Sequence, residues 1–270
     1  IPIEKYGDVQ KAEQLKAYTQ PFILRRLKKD SDIIRDLPEK QEMKVYCYLT
    51  AEQTALYNEV TEKLMKDLES LDGIKRKGKV MAILTKLKQI CNHPSHFLDD
   101  GEYKVERSGK LTRLVEMLEE VLEEGDKALV FTQYAKMGRI IQSSLREHFK
   151  CEVLFLHGGL SQKIRENLIR RFQQKDGPSI FVLSLKAGGF GLNLTNANHV
   201  FHYDRWWNPA VENQATDRAF RIGQDKNVQV YTFICSGTLE EKIDLLVEQK
   251  KDLAERIIAS GEGWLTELDN

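Results

Sequence analysis

The sequence predicts an α/β protein, a parallel sheet of about five strands with helices on both faces, plus a helical subdomain inserted into the sheet unit or docked on its edge. Ala128–Thr132 (ALVFT) is a continuous apolar run of the kind that forms a strand buried on both faces. From there to the end, short apolar runs alternate with stretches of helical spacing. Ahead of it lie two amphipathic stripes joined by a polar segment, which reads as a helical hairpin.

The elements follow in order. Glu42–Leu49 alternates like a strand, and Thr50-x-x-Gln53 is a capping signal for a helix carrying Leu56, Val60, Leu64 and Leu68. Residues 72–79 are charged and contain glycine, and read as a loop. Val80, Ile83, Leu84, Leu87, Ile90 and Cys91 make the second stripe, and a helix from Leu111 to Leu122 ends at Gly125. After Ala128–Thr132, Met137, Ile140, Ile141 and Leu145 recur at helical spacing. Val153–Leu156 is the next strand, and Ser161 opens a helix running through Arg171 and Phe172. Pro178 precedes strand Ile180–Leu183, His199–Tyr203 follows, and Pro209 suits a first helical turn. Val228–Ile234 is the last strand. Thr238-x-x-Glu241 opens a long helix with Leu239, Ile243, Leu246, Leu253 and Ile257 inward.

Composition narrows the function. Hydrophobic residues make up 41% of the 270 and charged residues 30%, with 41 basic against 41 acidic side chains. A formal charge of zero argues against a strongly basic nucleic-acid-binding fold. Two local basic runs, Arg25–Lys29 and Lys75–Lys79, read as solvated surface. No apolar run is long enough to span a bilayer. The chain starts at Ile1 without a signal peptide and reads as a piece of a longer polypeptide. Cys47, Cys91, Cys151 and Cys235 are scattered, which points to reduced thiols in a cytoplasmic or nuclear compartment. Cys91, His93 and His96 lack the fourth ligand of a zinc site, so no metal is expected.

The densest chemistry lies in Phe181–Gln224. Arg218 and Arg221, three apart in a predicted helix, would share one face and suit an anionic ligand, above all a nucleotide triphosphate. The bland alternative for Arg221 is an i,i+4 pair with Asp217. The chain has no GxxxxGK[ST] loop and no acidic DExx box, so tight ATP binding or hydrolysis by the chain alone is not expected.

Gln214–Gln224 (QATDRAFRIGQ) resembles motif VI of the superfamily-two helicase-like ATPases, and its RIGQ ending resembles the Swi/Snf family in particular. Phe22–Asp30 (FILRRLKKD), Leu37–Lys40 (LPEK) and Lys88–Pro94 (KQICNHP) resemble that family's lead-in to its second lobe. Ser108–Leu111 (SGKL), Lys127–Tyr134 (KALVFTQY), Leu156–Gly159 (LHGG), Arg170–Phe172 (RRF), Ser184–Leu194 (SLKAGGFGLNL) and Asp204–Pro209 (DRWWNP) follow in the family's order. The resemblance covers nearly the whole chain. It implies a RecA-like three-layer α/β/α lobe of the P-loop NTPase kind, the C-terminal lobe of two. Residues 1–49 would be the connector, 50–107 the helical subdomain, 108–237 the lobe and 238–270 a C-terminal brace helix.

The same resemblance implies the roles. Arg218 and Arg221 look like arginine fingers acting on ATP and Mg2+ held mainly by a first lobe that this chain lacks. Gln214, Gly189, Gly191 and Asn193 would lie near the nucleotide, with Gly188 letting the backbone approach. Ser184 and Lys186, and more weakly Thr132, Gln133, His157 and Gly158, would touch the backbone of double-stranded DNA, positioning it without reading sequence. Trp206 and Trp207 read as packing residues rather than base-stacking ones. His157, His199 and His202 are assigned no catalysis. The implied function is the motor lobe of an ATP-driven duplex translocase, inactive alone and binding DNA weakly and salt-sensitively. The alternatives are a lobe of a strand-separating DNA or RNA helicase and a non-catalytic protein-binding module. The partners implied are the first lobe and double-stranded DNA, with no membrane and an unidentified remodelled substrate.

Overall fold

Six parallel strands form one sheet: β1 (Lys40–Cys47), β2 (Ala128–Thr132), β3 (Val153–Leu156), β4 (Ile180–Ser184), β5 (His199–His202) and β6 (Val228–Cys235), in the order β1-β6-β5-β2-β4-β3. The computed structural model describes residues 38–68, 73–185 and 192–259, with side chains described over 38–63, 78–185 and 192–250. The sheet is one strand larger than expected. The extra strand is β1, the alternating stretch before the hairpin, which pairs with β6 from Lys40↔Val228 to Cys47↔Cys235. It is an edge strand with mostly exposed residues, so its sequence lacks the apolar run of the central strands.

Eight α-helices surround the sheet among the described residues: α1 (Ala51–Leu68), α2 (Gly73–Asn92), α3 (Pro94–Leu98), α4 (Gly109–Glu123), α5 (Ala135–Phe149), α6 (Gln162–Phe172), α7 (Pro209–Thr216) and α8 (Leu239–Ala259). Alternate strand residues face opposite sides. Val130, Val153, Phe155, Ile180 and Val182 pack with Leu114 and Leu118 of α4 and Ile140, Ile141 and Leu145 of α5. Leu129, Phe131, Leu154, Phe181 and Leu183 pack on the other side with Phe172 of α6 and with Ala215 and Ala219. The result is the three-layer α/β/α RecA-like architecture. The chain divides into two units, residues 36–244 and residues 1–35 with 245–270. Of the second, only 245–259, part of α8, is described.

Local signals act as the residues dictate. Gln53 N–H donates to Thr50 Oγ1 at 3.2 Å and Thr50 N–H to Gln53 Oε1 at 3.1 Å, a reciprocal capping box on α1. Asn208 caps α7, accepting from Ala210 N–H at 3.1 Å, with Pro209 in the first turn. Gly125 takes φ 70° where α4 ends. Ser161 sits at the N-cap of α6 but makes no side-chain cap bond. The expected loop over 72–79 is instead the start of α2, since lysine and arginine are good helix formers. In α8, Leu239, Ile243 and Val247 are buried while Leu246 is 49% exposed, so the buried stripe follows i, i+4, i+8. Leu253 and Ile257 lie outside the described side chains.

The hairpin ends in a cap built from histidine. His93 Nδ1 accepts Ser95 N–H at 3.1 Å, and Nε2 donates to Lys104 O at 3.0 Å. With both ring nitrogens engaged by backbone, His93 is a helix cap rather than a metal ligand. His96 is 2% exposed and packs edge-on against Tyr134, ring centroids 4.8 Å apart. Burial pushes its pKa down to about 3. The folded state therefore resists a proton that the unfolded chain accepts near pH 6.5. The contribution is complete above that pH and is lost as pH falls toward 3. The expected slope is about 1.4 kcal/mol per pH unit between pH 6 and pH 4. Urea midpoints across that range check it, and His96→Leu should flatten the profile.

Candidate functional site

Because every strand is parallel, all six carboxyl ends lie on one edge of the sheet, where α/β folds of this kind place their ligands. The chain runs β2, β3, β4 on one side and then crosses past β2 to β5, so β2 stands at the switch point. Thr132, His157, Ser184 and Asp204 all sit at or just beyond these ends.

The expected contact residues divide. Thr132 is fully buried and donates its hydroxyl to Asp204 Oδ2 at 2.5 Å, so that hydroxyl is engaged within the chain. Gln133 N–H donates to Asp204 Oδ1 at 2.9 Å. Its side-chain Nε2 is buried with no hydrogen-bond partner among the described residues, a donor left over at the end of the central strand. Ser184 is only 3% exposed. The turn after β3 is held from outside: Arg165 donates to Gly158 O at 2.8 Å and to Leu160 O at 3.0 Å, while His157 Nδ1 accepts Gly159 N–H at 3.2 Å. Gly158 is exposed there with nothing within 4 Å of an added Cβ. Lys186, Gly188, Gly189 and Gly191 lie outside the described residues.

The arginine pair is not on a helix face, as the spacing predicted. Helix α7 stops at Thr216, and the chain continues in turns: Ala219 N–H donates to Thr216 O at 3.1 Å and Gln224 N–H to Arg221 O at 3.0 Å. The turn is laid against the segment that follows the glycine-rich stretch. Leu194 N–H donates to Arg218 O at 2.9 Å, and Arg221 Nη1 to Leu192 O at 3.5 Å. Arg218 is 7% exposed, and its Nε is buried without a hydrogen-bond partner among the described residues. Burial, then the Arg221 charge, pulls its pKa below the ordinary arginine value. Arg221, Gln214 and Asn193 are exposed. The turn thus concentrates positive charge, one guanidinium enclosed and one open to solvent.

A buried ionic network was not visible in the sequence. Asp204, 1% exposed, accepts from Thr132, Gln133 and, at 3.1 Å, Asn92 Nδ2. Burial lifts its pKa against the pull of Lys88 and of the Thr132 and Gln133 bonds. Lys88 donates to Arg205 O at 2.5 Å, and Lys110 to Tyr203 O at 3.1 Å and Glu240 Oε1 at 2.7 Å. Arg205 bridges Glu212 at 2.6 Å and Asp244 at 2.5 Å, and Lys44 meets Asp244 at 2.8 Å. Trp206 and Trp207 are partly buried beside it, with the Lys88 ammonium 5.7 Å from the Trp207 ring centroid. The signal available was charge inside apolar blocks: Lys88 in KQICNHP, Lys110 in SGKL, Asp204 and Arg205 in DRWWNP.

A helical hairpin on a RecA-like sheet, with an arginine turn packed against the segment that leads into β5, defines the C-terminal lobe of a helicase-like ATPase. Residues 109–223 match the helicase conserved C-terminal domain, and residues 1–96 the SNF2-related domain. The Sulfolobus solfataricus SWI2/SNF2 ATPase C-terminal domain is 48% identical with TM-score 0.69, over 85% of this chain and 94% of that one. The chain belongs to the SWI2/SNF2 family of helicase-like ATPases. The Sulfolobus solfataricus SWI2/SNF2 ATPase core in complex with dsDNA is 50% identical with TM-score 0.73, over 98% of this chain and 56% of that one. The putative ATP-dependent helicase/translocase YwqA of Bacillus subtilis is 47% identical over 99% of this chain, which spans 29% of that protein's length. No described helix is long and apolar enough to cross a membrane.

Proposed function

We propose that this chain is the second motor lobe of an ATP-dependent double-stranded DNA translocase, in the compartment that holds the DNA. The observation that carries it is the arginine turn: an enclosed Arg218, its Nε without a partner among the described residues, beside an exposed Arg221, both anchored to the segment after the glycine-rich stretch. A buried guanidinium N–H that meets no acceptor among the described residues fits an anion brought by another surface. In this reading a first lobe grips ATP and Mg2+, and Arg218 and Arg221 close on the γ-phosphate, stabilising the charge that develops in transfer. Gln214, Asn193, Gly189 and Gly191 line the nucleotide's side of the cleft. Gln133, His157, Gly158, Ser184 and Lys186 form the DNA edge, where the leftover Gln133 amide and the exposed Gly158 backbone suit phosphate oxygens. Closing and opening of the cleft then shifts those contacts along the duplex. The double-stranded DNA in the Sulfolobus core, 50% identical to this chain, supports the choice of substrate.

The test is turnover and strand release by the intact enzyme. Blunt duplex DNA should stimulate ATP hydrolysis without releasing a labelled strand, while this chain alone hydrolyses no ATP. Its DNA affinity should fall with salt at a log–log slope of about −0.9 per phosphate neutralised. Strand release would favour a helicase, and turnover indifferent to nucleic acid would sink the motor reading.

A further inference from the structure

We propose that Gln224 is the positioning residue of the arginine turn, holding Arg218 at the height from which it meets the nucleotide. The proposal rests on the reading of Arg218 and Arg221 given above.

Gln224 closes the RIGQ block. Around it the chain is open: Arg221, Gly223 and Asp225 are exposed, and Ile222 is 68% exposed. Gln224 itself is 4% exposed. Gly223, at φ 97°, turns the backbone into a conformation that favours glycine, and the next side chain points back inside. There its Nε2 donates to Ala197 O at 2.7 Å and to Ala219 O at 3.3 Å, and its Oε1 accepts Lys226 N–H at 3.0 Å. Both faces of the amide are used. The orientation is also determined, because a reversed amide would set its oxygen against two carbonyls and its NH2 against an N–H.

These bonds complete a ring. Ala197 N–H donates to Leu194 O at 3.1 Å, Leu194 N–H donates to Arg218 O at 2.9 Å, and Ala219 is the next residue. Gln224 spans from Ala219 back to Ala197. The backbone of Arg218 is thus clamped from two sides, by Leu194 and, through Ala219, by the Gln224 amide. Since α7 has already ended at Thr216, no continuous helix holds the arginines in place. The amide does in the turn what i→i−4 bonds would do in a helix. Without it, Ala197 O and Lys226 N–H lose the amide as partner, Ala219 O keeps only Arg221 N–H, and the clamp is open on one side.

Gln224→Met, close in volume, removes all three bonds, and Gln224→Glu keeps an acceptor for Lys226 but turns oxygen toward two carbonyls. In the intact enzyme, each should lower kcat about 10- to 100-fold, the cost of an ångström-scale displacement, while leaving KM for ATP in place. Thermal unfolding of each variant restricts the comparison to temperatures where it is folded, and either variant suffices if the other is not. The discriminating measurement is the double variant with Arg218→Ala. If Gln224 acts through Arg218, the pair loses no more turnover than Arg218→Ala alone. Multiplying losses would assign Gln224 a merely structural role and overturn the proposal. So would Gln224 variants with wild-type turnover beside an inactive Arg218→Ala. If Arg218→Ala itself turns over normally, the arginine reading fails instead, and Gln224 has nothing to position.

Discussion

Replacing Arg218 and Arg221 together with alanine in the intact enzyme should abolish DNA-stimulated ATP hydrolysis, lowering kcat by about 10³-fold or more. That loss corresponds to about 4 kcal/mol of transition-state stabilisation. The size follows from where the charges act. Arg218 is enclosed, so its interaction with a phosphate is weakly screened, and Arg221 adds a second cation on the same turn. The two already repel, since the Arg221 charge contributes to the lowered pKa of Arg218. An anionic ligand relieves that repulsion, and a transition state with more charge on the γ-phosphate oxygens relieves it more than the ground state does. The effect therefore belongs in kcat rather than in KM for ATP. Arg221→Ala alone should cost less than Arg218→Ala, because solvent screens it. Steady-state turnover against ATP concentration, at saturating duplex DNA, reads both quantities. A double variant with wild-type kcat would show that the pair never meets the nucleotide and would leave the binding-module alternative standing. The fold of the variants is a lesser concern: Arg221 is exposed, and the turn is held mainly through backbone groups and Gln224.

What could be read in advance was whatever is set locally. Ala128–Thr132 and Val153–Leu156 form strands with the predicted bounds because burial on both faces leaves an unbroken apolar run. The Thr50–Gln53 box is likewise a matter of four consecutive residues. The misreadings are non-local. β1 becomes the sixth strand only by pairing with β6, far along the chain, and as an edge strand it lacks the continuous apolar run of the central strands. The arginine segment has helical spacing, yet it departs from helix after Thr216, where Leu194 and Gln224 offer its carbonyls other partners. The identities of Arg218 and Arg221 were plain from QATDRAFRIGQ, but the enclosure of one and exposure of the other depend on the segment packed against them. Thr132 shows another non-local effect. That its strand-end hydroxyl bonds Asp204, 72 residues along the chain, is not legible in the residues around it.

Asp204 carries the second large effect, on stability. Asp204→Ala should destabilise the chain by about 3–5 kcal/mol, the usual cost of removing one member of a buried ionic set. Four groups would lose by it. Thr132 Oγ1, Gln133 N–H and Asn92 Nδ2 would each lack an acceptor, and buried Lys88 would lose an opposing charge. Burial already lowers the Lys88 pKa despite the Asp204 charge, so deleting that charge leaves the ammonium poorly compensated. Because Asn92 and Lys88 belong to α2 and Thr132 to β2, the loss should loosen the hairpin from the sheet rather than merely soften the core. Breaking the network and replacing it are different experiments. Burial raises the Asp204 pKa, which means that keeping the carboxylate ionised has its own cost. Asp204→Leu combined with Lys88→Met should therefore recover the part of the Asp204→Ala loss that comes from the uncompensated Lys88 charge, while Thr132, Gln133 and Asn92 still lack their acceptor. Urea unfolding followed by tryptophan fluorescence suits the test, Trp206 and Trp207 being adjacent in sequence to the site. An Asp204→Ala midpoint matching the parent's would mean that the carboxylate contributes nothing net. A double variant no more stable than Asp204→Ala would show that Lys88 and Asp204 are not energetically coupled.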